Sequence, residues 1–169
     1  MKIKLFLGVV LALALGIALV PTLTSAAEFS FDGPPAFTVT YPSGSNPDEK
    51  TSPTQVWAIK TGGDCMVSAN VVPIPEGIEL KDVAEKGYKP GLETAQGKVR
   101  MGDNKEITLG DGTKAYYSEM NWNHVPSGGT PITTMIVSAY KDGKWVYVDA
   151  HPWDNYNVPT KIVKSLKFK

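Results

Sequence analysis

Residues 132–151 read ITTMIVSAYKDGKWVYVDAH. Two runs rich in β-branched and aromatic residues flank Asp142-Gly143. This is a strong hairpin signal, because a type I′ turn needs positive φ at both central residues and Asp-Gly tolerates it. A two-residue turn also sets a register. Lys141 faces Lys144, followed by Tyr140–Trp145, Ala139–Val146, Ser138–Tyr147, Val137–Val148, Ile136–Asp149, Met135–Ala150 and Thr134–His151. Side chains alternate between the two faces of a strand. One face therefore carries Met135, Val137, Ala139, Val146, Val148 and Ala150, an apolar seat for a helix. The other carries Thr134, Ser138, Tyr140, Trp145, Tyr147, Asp149 and His151. That mixture of aromatic and polar groups is expected of a groove or an incompletely covered sheet.

Outward from the hairpin, the same reasoning finds further strands. AFTVTYP alternates Phe37, Val39 and Tyr41 against Thr38 and Thr40, the period of a strand. TQVWAIKT and CMVSANVVPIP come next in the chain, and KVRMGDNKEITL turns at GDGT into KAYYSEMNWNHV. Between the third and fourth strands, Leu80, Val83, Ala84, Gly87, Tyr88, Gly91, Leu92 and Ala95 keep helical spacing for four turns. Pro90 lies off this stripe and should kink the helix towards solvent. Gly87 and Gly91 on the stripe imply close approach to whatever lies beneath. The closing VPTKIVKSL reads as a short helix with Pro159 in its first turn and Val158, Ile162, Val163 and Leu166 on one side. The expected fold class is α+β: a largely antiparallel sheet of about six or seven strands, with a long helix after strand three and a short C-terminal helix.

The N-terminus reads as a leader. Lys2 and Lys4 precede the apolar run LFLGVVLALALGIALV, and Ser25 and Ala27 stand where a signal peptidase requires small residues. The run is short for a membrane span, which needs about 20 apolar residues. Residues 1–27 are therefore expected to be a signal peptide and 28–169 a single domain, periplasmic or secreted, with no stable membrane insertion after cleavage. Of 17 basic and 17 acidic residues, two lysines belong to the leader, so the remainder carries a net charge of −2. That balance argues against a nucleic-acid partner. Cys65, the single cysteine, excludes an intrachain disulfide. It reads as a buried thiol within a strand, with a link between two chains as the alternative.

Several of these stretches resemble the PsbP-like fold family, which includes the photosystem II extrinsic protein PsbP, a Ran-binding nuclear import factor and bacterial envelope proteins of the DcrB type. The matching features are FTVTYP, the LGDGTKAYY hairpin, KDGKWVYVDAH and the closing KSLKF, across most of residues 35–168. The resemblance implies an α/β/α sandwich, an antiparallel sheet with helices on both faces. It also implies a protein that binds other proteins and catalyses nothing.

Chemistry, if there is any, concentrates in WVYVDAHPWDNYN, residues 145–157. Asp149 and His151 share a face about 6–7 Å apart along the strand, long for a direct hydrogen bond. A hydrolytic or metal-dependent enzyme using this pair is the alternative reading. No GxSxG supplies a nucleophile. His124, His151, Asp149 and Asp154 lack the paired spacing of a metal site, and GDGT opens no helix that would cradle a phosphate. No cofactor or metal is expected. Eight aromatic residues crowd the C-terminal half (Tyr116, Tyr117, Trp122, Tyr140, Trp145, Tyr147, Trp153 and Tyr156), and Tyr and Trp are enriched where proteins bind. The expected function is binding of a protein partner or small ligand in the envelope, through Tyr140, Trp145, Tyr147, Asp149, His151 and Trp153. Trp153, in the turn-forming loop after Pro152, is either an exposed anchor or a cap on the core beside the last helix.

Export has a direct consequence. Mass spectrometry of protein purified from its own cells should give Glu28 as the mature N-terminus, within one residue; an intact Met1 would remove the leader assignment.

Overall fold

The computed structural model describes residues 25–61, 65–152 and 156–169. Its strands are β1 (Ala26–Phe31), β2 (Phe37–Pro42), β3 (Asn46–Pro47), β4 (Gln55–Thr61), β5 (Cys65–Pro73), β6 (Arg100–Thr108), β7 (Lys114–His124), β8 (Thr130–Lys141), β9 (Lys144–His151) and β10 (Lys167–Phe168). The helices are α1 (Lys89–Gln96) and α2 (Asn157–Lys164). The leader up to residue 24, and Trp153 and Asp154, lie outside the described residues. Ala26 and Ala27, read as the end of the leader, occupy the first two positions of β1. A cut after Ala27 leaves the β1–β2 pairs from Glu28↔Thr40 to Phe31↔Phe37.

The β8–β9 hairpin has the register that its turn dictates. Asp142 and Gly143 have φ of 49° and 71°, and the pairs run from Lys141↔Lys144 to Met135↔Ala150. The hairpin lies inside a seven-stranded sheet of order β3-β4-β5-β9-β8-β7-β6, in which every neighbouring pair is antiparallel. Its apolar face is buried as expected: Val137, Ala139, Val146, Val148 and Ala150 are wholly inaccessible. Ile162, Val163 and Leu166 of the C-terminal helical segment belong to the same core cluster. On α2 it is Pro159, not Val158, that is buried beside Ile162 and Val163.

β2 does not join this sheet. With β1 and β10 it forms a separate three-stranded sheet, and Phe37, Val39 and Phe168 enter the core cluster under α2. Alternation reports that a strand buries one face and is silent on which strand it pairs with, so AFTVTYP reads the same in either sheet. The main sheet is edged instead by the two residues of β3. At its other edge, β6 is exposed along most of its length and carries an irregularity between Met101 and Asn104.

The expected four-turn helix is helical throughout but not uniform. A single 3₁₀ turn, Leu80–Asp82, leads into a wide π turn, Ala84–Tyr88, and then α1. The N–H of Lys89 reaches the carbonyl of Ala84, five residues back. Pro90 falls in the first turn of α1, where a missing N–H costs nothing. In a continuous α-helix its ring would press on the Lys86 carbonyl; the π turn's extra residue displaces that carbonyl from the ring. That residue also rotates the remainder of the helix by about 100°. Val83 and Ala84 are buried, Gly87, Tyr88 and Leu92 half-buried, and Gly91 and Ala95 exposed. The stripe thus separates from the sheet as the helix proceeds. Only one of its glycines marks close approach: a Cβ on Gly87 would stand 3.3 Å from the Trp145 ring, whereas one on Gly91 would meet open space.

The face assignment is open to a stability test. Val148→Asp would place an unpaired carboxylate in the apolar core, a cost of several kcal/mol against a typical total of about 5–15. The variant should fail to show a cooperative thermal transition by circular dichroism; a soluble variant melting near the wild-type temperature would contradict the assignment.

Candidate functional site

The separation of helix from sheet creates a cleft of about 550 Å³. Tyr88 and Leu92 line its helical side, and Trp122, Tyr147, Asp149 and His151 its sheet side. The sheet residues share a face because of the register. β5 places Ser68 opposite Asp149 and Asn70 opposite Tyr147, and β7 places Met120 opposite Thr134.

At the floor lies Asp149, 5% exposed. One carboxylate oxygen accepts from the Ser68 hydroxyl at 2.6 Å and from Asn70 Nδ2 at 3.2 Å. The other accepts from the Tyr88 hydroxyl at 3.0 Å and from His151 Nε2 at 2.9 Å. The Asp149 and His151 side chains therefore bend towards each other and close the gap that strand geometry leaves between them.

The remaining bonds suit one histidine tautomer. Trp122 Nε1 can only donate, and does so to Thr134 Oγ1 at 2.9 Å. Thr134 Oγ1 stands 2.9 Å from His151 Nδ1, and its own proton is free to be donated there. His151 thus accepts at Nδ1 and donates from Nε2 to Asp149. A chain of donors runs Trp122, Thr134, His151, Asp149, and Ser68, Asn70 and Tyr88 complete the carboxylate's four bonds.

The phenol of Tyr88 is held protonated by burial, which pushes its pKa well above the ordinary tyrosine value, with the adjacent Asp149 charge adding to the effect. Burial and the same charge raise Tyr147. Burial also pushes the Cys65 thiol up to about 11. Cys65 is buried and unpaired, and is protonated and unreactive at neutral pH.

The Ser68 and Thr134 hydroxyls beside the Asp149–His151 pair are not placed for nucleophilic attack. Ser68 donates to the carboxylate rather than to the imidazole, and Thr134 is wholly inaccessible. His124 is bonded through Nδ1 to Ser127, and its ring and that of His151 each make an edge contact with Trp122.

Of the residues singled out in the sequence, Tyr147, Asp149 and His151 meet in the cleft. Trp145 lines it too but lies mostly beneath Gly87. Tyr140 stands outside the cleft, where its hydroxyl donates to the Ile78 carbonyl at 2.8 Å. Sequence reasoning missed Ser68, Asn70, Tyr88 and Trp122 as site residues. Two polar residues at alternate positions of CMVSANVV were a usable signal, since a buried strand carries polar groups on one face only when partners await them.

A seven-stranded antiparallel sheet, with one helical segment over a mixed face and a second helix with a small sheet over the apolar face, is the PsbP-like α/β/α fold. No family model and no curated protein matches the chain. Among solved structures, it is similar to the cyanobacterial PsbP (CyanoP) of Synechocystis, with 16% identity over 92% of this chain and 99% of that one, at a TM-score of 0.65. It is also similar to the Saccharomyces cerevisiae Ran-binding protein Mog1p, with 10% identity over 85% and 95% of the two chains, at a TM-score of 0.61. A Mog1 mutant aligns at 11% identity and a TM-score of 0.60. Likeness at these identities establishes the shared fold.

Tyr88→Phe tests the network through its alkaline behaviour. A phenol whose folded pKa is raised contributes stability that is full below the unfolded value of about 10 and is lost as pH rises through the folded value. The variant should lose about 2 kcal/mol at pH 7, one hydrogen bond to a charged group, and should lose stability less steeply above about pH 10. Urea titrations at pH 7 and above pH 10 measure both; an unchanged alkaline slope would place Tyr88 outside the network.

Proposed function

We propose that this chain is an exported, non-enzymatic binding protein of the cell envelope, periplasmic or secreted, that holds a partner's side chain or a small ligand in the cleft between the π turn, α1 and the mixed sheet face. The observation that carries this reading is a cleft with aromatic walls over a polar floor whose hydrogen bonds are already satisfied. Such a floor is rigid before anything binds, so little ordering cost falls on association. The leader sequence supports export. The fold's occurrence in a Ran-binding protein is consistent with a binding role.

The Asp149–His151 bond is the one observation favouring a hydrolytic enzyme. Against it, His151 Nδ1 is occupied by Thr134, the Ser68 and Thr134 hydroxyls are buried, and the Tyr88 hydroxyl is engaged by the Asp149 carboxylate. Trp153, which lies outside the described residues, enters the proposal as a further contact on the strength of its sequence position alone.

A cleft-blocking substitution tests the proposal. Ala95 is exposed and lines the cleft, so Ala95→Trp should leave the melting temperature within about 2 °C of wild type, as surface changes generally do. Compounds from a metabolite library that stabilise the wild type should lose that effect in the variant. Compounds acting equally on both proteins would place binding elsewhere. A library without a single stabilising compound that the variant abolishes would count against the cleft as a small-ligand site.

A further inference from the structure

None of the described residues lining the cleft is a lysine or arginine. Its one acidic group is Asp149, with four polar groups within hydrogen-bond distance of its two oxygens. With an acidic group at the floor and no lysine or arginine in the lining, carboxylates and phosphates are disfavoured as ligands.

Aromatic rings surround that charge. Tyr88 and Tyr147 meet at 85° with centroids 5.5 Å apart, so a group in the corner between them meets two ring surfaces. Trp145 lies against Tyr147 at 4.5 Å, and Trp122 crosses His151 nearly at right angles, at 6.3 Å. Ring faces carry negative quadrupole charge and attract cations, most strongly where water is excluded.

The hydrogen bonds decide which cation fits. A primary ammonium brings N–H donors that need acceptors, and the Asp149 oxygens are already shared among four donors. A cation without N–H makes no such demand. It is held by the ring faces and by the carboxylate's charge acting at a distance. The cleft also retains one unpartnered acceptor, the buried Gln96 Oε1, suited to a hydroxyl on the same molecule. We propose that the cleft binds a quaternary ammonium compound, its methylated head among Tyr88, Tyr147 and Trp122 above Asp149. This rests on the cleft being the binding site and names the ligand chemistry.

The test compares choline with 3,3-dimethylbutan-1-ol, which replaces the charged nitrogen by carbon at nearly equal shape. Tryptophan fluorescence and calorimetry on the purified wild-type protein read both affinities. Choline should bind at least about tenfold more tightly than the neutral alcohol, and Asp149→Asn should shrink that ratio to about threefold or less. Equal affinities for the two compounds, or no binding of choline, overturn the proposal. The comparison on the wild type needs no variant, so a poorly folding Asp149→Asn leaves it decisive. If library compounds blocked by Ala95→Trp prove to be neutral while choline fails, the cleft stands as a binding site and only the cation is wrong.

Discussion

The two-residue turn at Asp142 and Gly143 sets which side of the central hairpin each residue occupies, and almost everything else depends on that constraint. Both residues hold positive φ, a conformation that an L-residue with a branched side chain resists. With the turn closed, Val137 and Val148 face one layer while Tyr147, Asp149 and His151 face the other. A slip of one residue would exchange these sets, placing a carboxylate and an imidazole under α2 and valines in the cleft. The penalty for the exchanged arrangement is so large that the register has no competitor.

How much of this was legible in the sequence depended on how local each interaction is. The hairpin register and its two faces were readable because a short turn determines them. The partners of Asp149 were not, because Ser68 lies 81 positions away and Tyr88 61, and strand order across a sheet is decided by packing rather than by any single stretch. Tyr88 could be placed on the apolar stripe of its helix, yet a uniform helical period misplaces the positions beyond it. One extra residue in the π turn before Pro90 redirects them, so Gly91 and Ala95 stand exposed at the cleft while Tyr88 reaches the sheet. β2 was legible as a strand but its sheet was not, since β10, one of its two partners, is only two residues long and leaves no periodic trace.

A buried carboxylate is a poor source of net stability, because desolvation offsets much of what its partners return. What Asp149 supplies is orientation. It holds the Tyr88 hydroxyl and the His151 ring at fixed positions, and Thr134 and Trp122 hold the far side of that ring. The polar floor and aromatic walls are thereby coupled: moving the π turn would withdraw one of the four donors, and rotating His151 would withdraw another.

The borders of the main sheet bear on how readily a foreign strand could extend it. An unpaired strand edge is a template for another chain. At one border the chain offers only Asn46 and Pro47, a segment too short to template a partner and half made of a residue with no N–H. At the other, β6 breaks its own ladder between Met101 and Asn104 and alternates charge along Asp103, Lys105 and Glu106, two of them joined by a 2.6 Å ion pair. Neither edge strand offers a long, regular ladder for a foreign strand to continue.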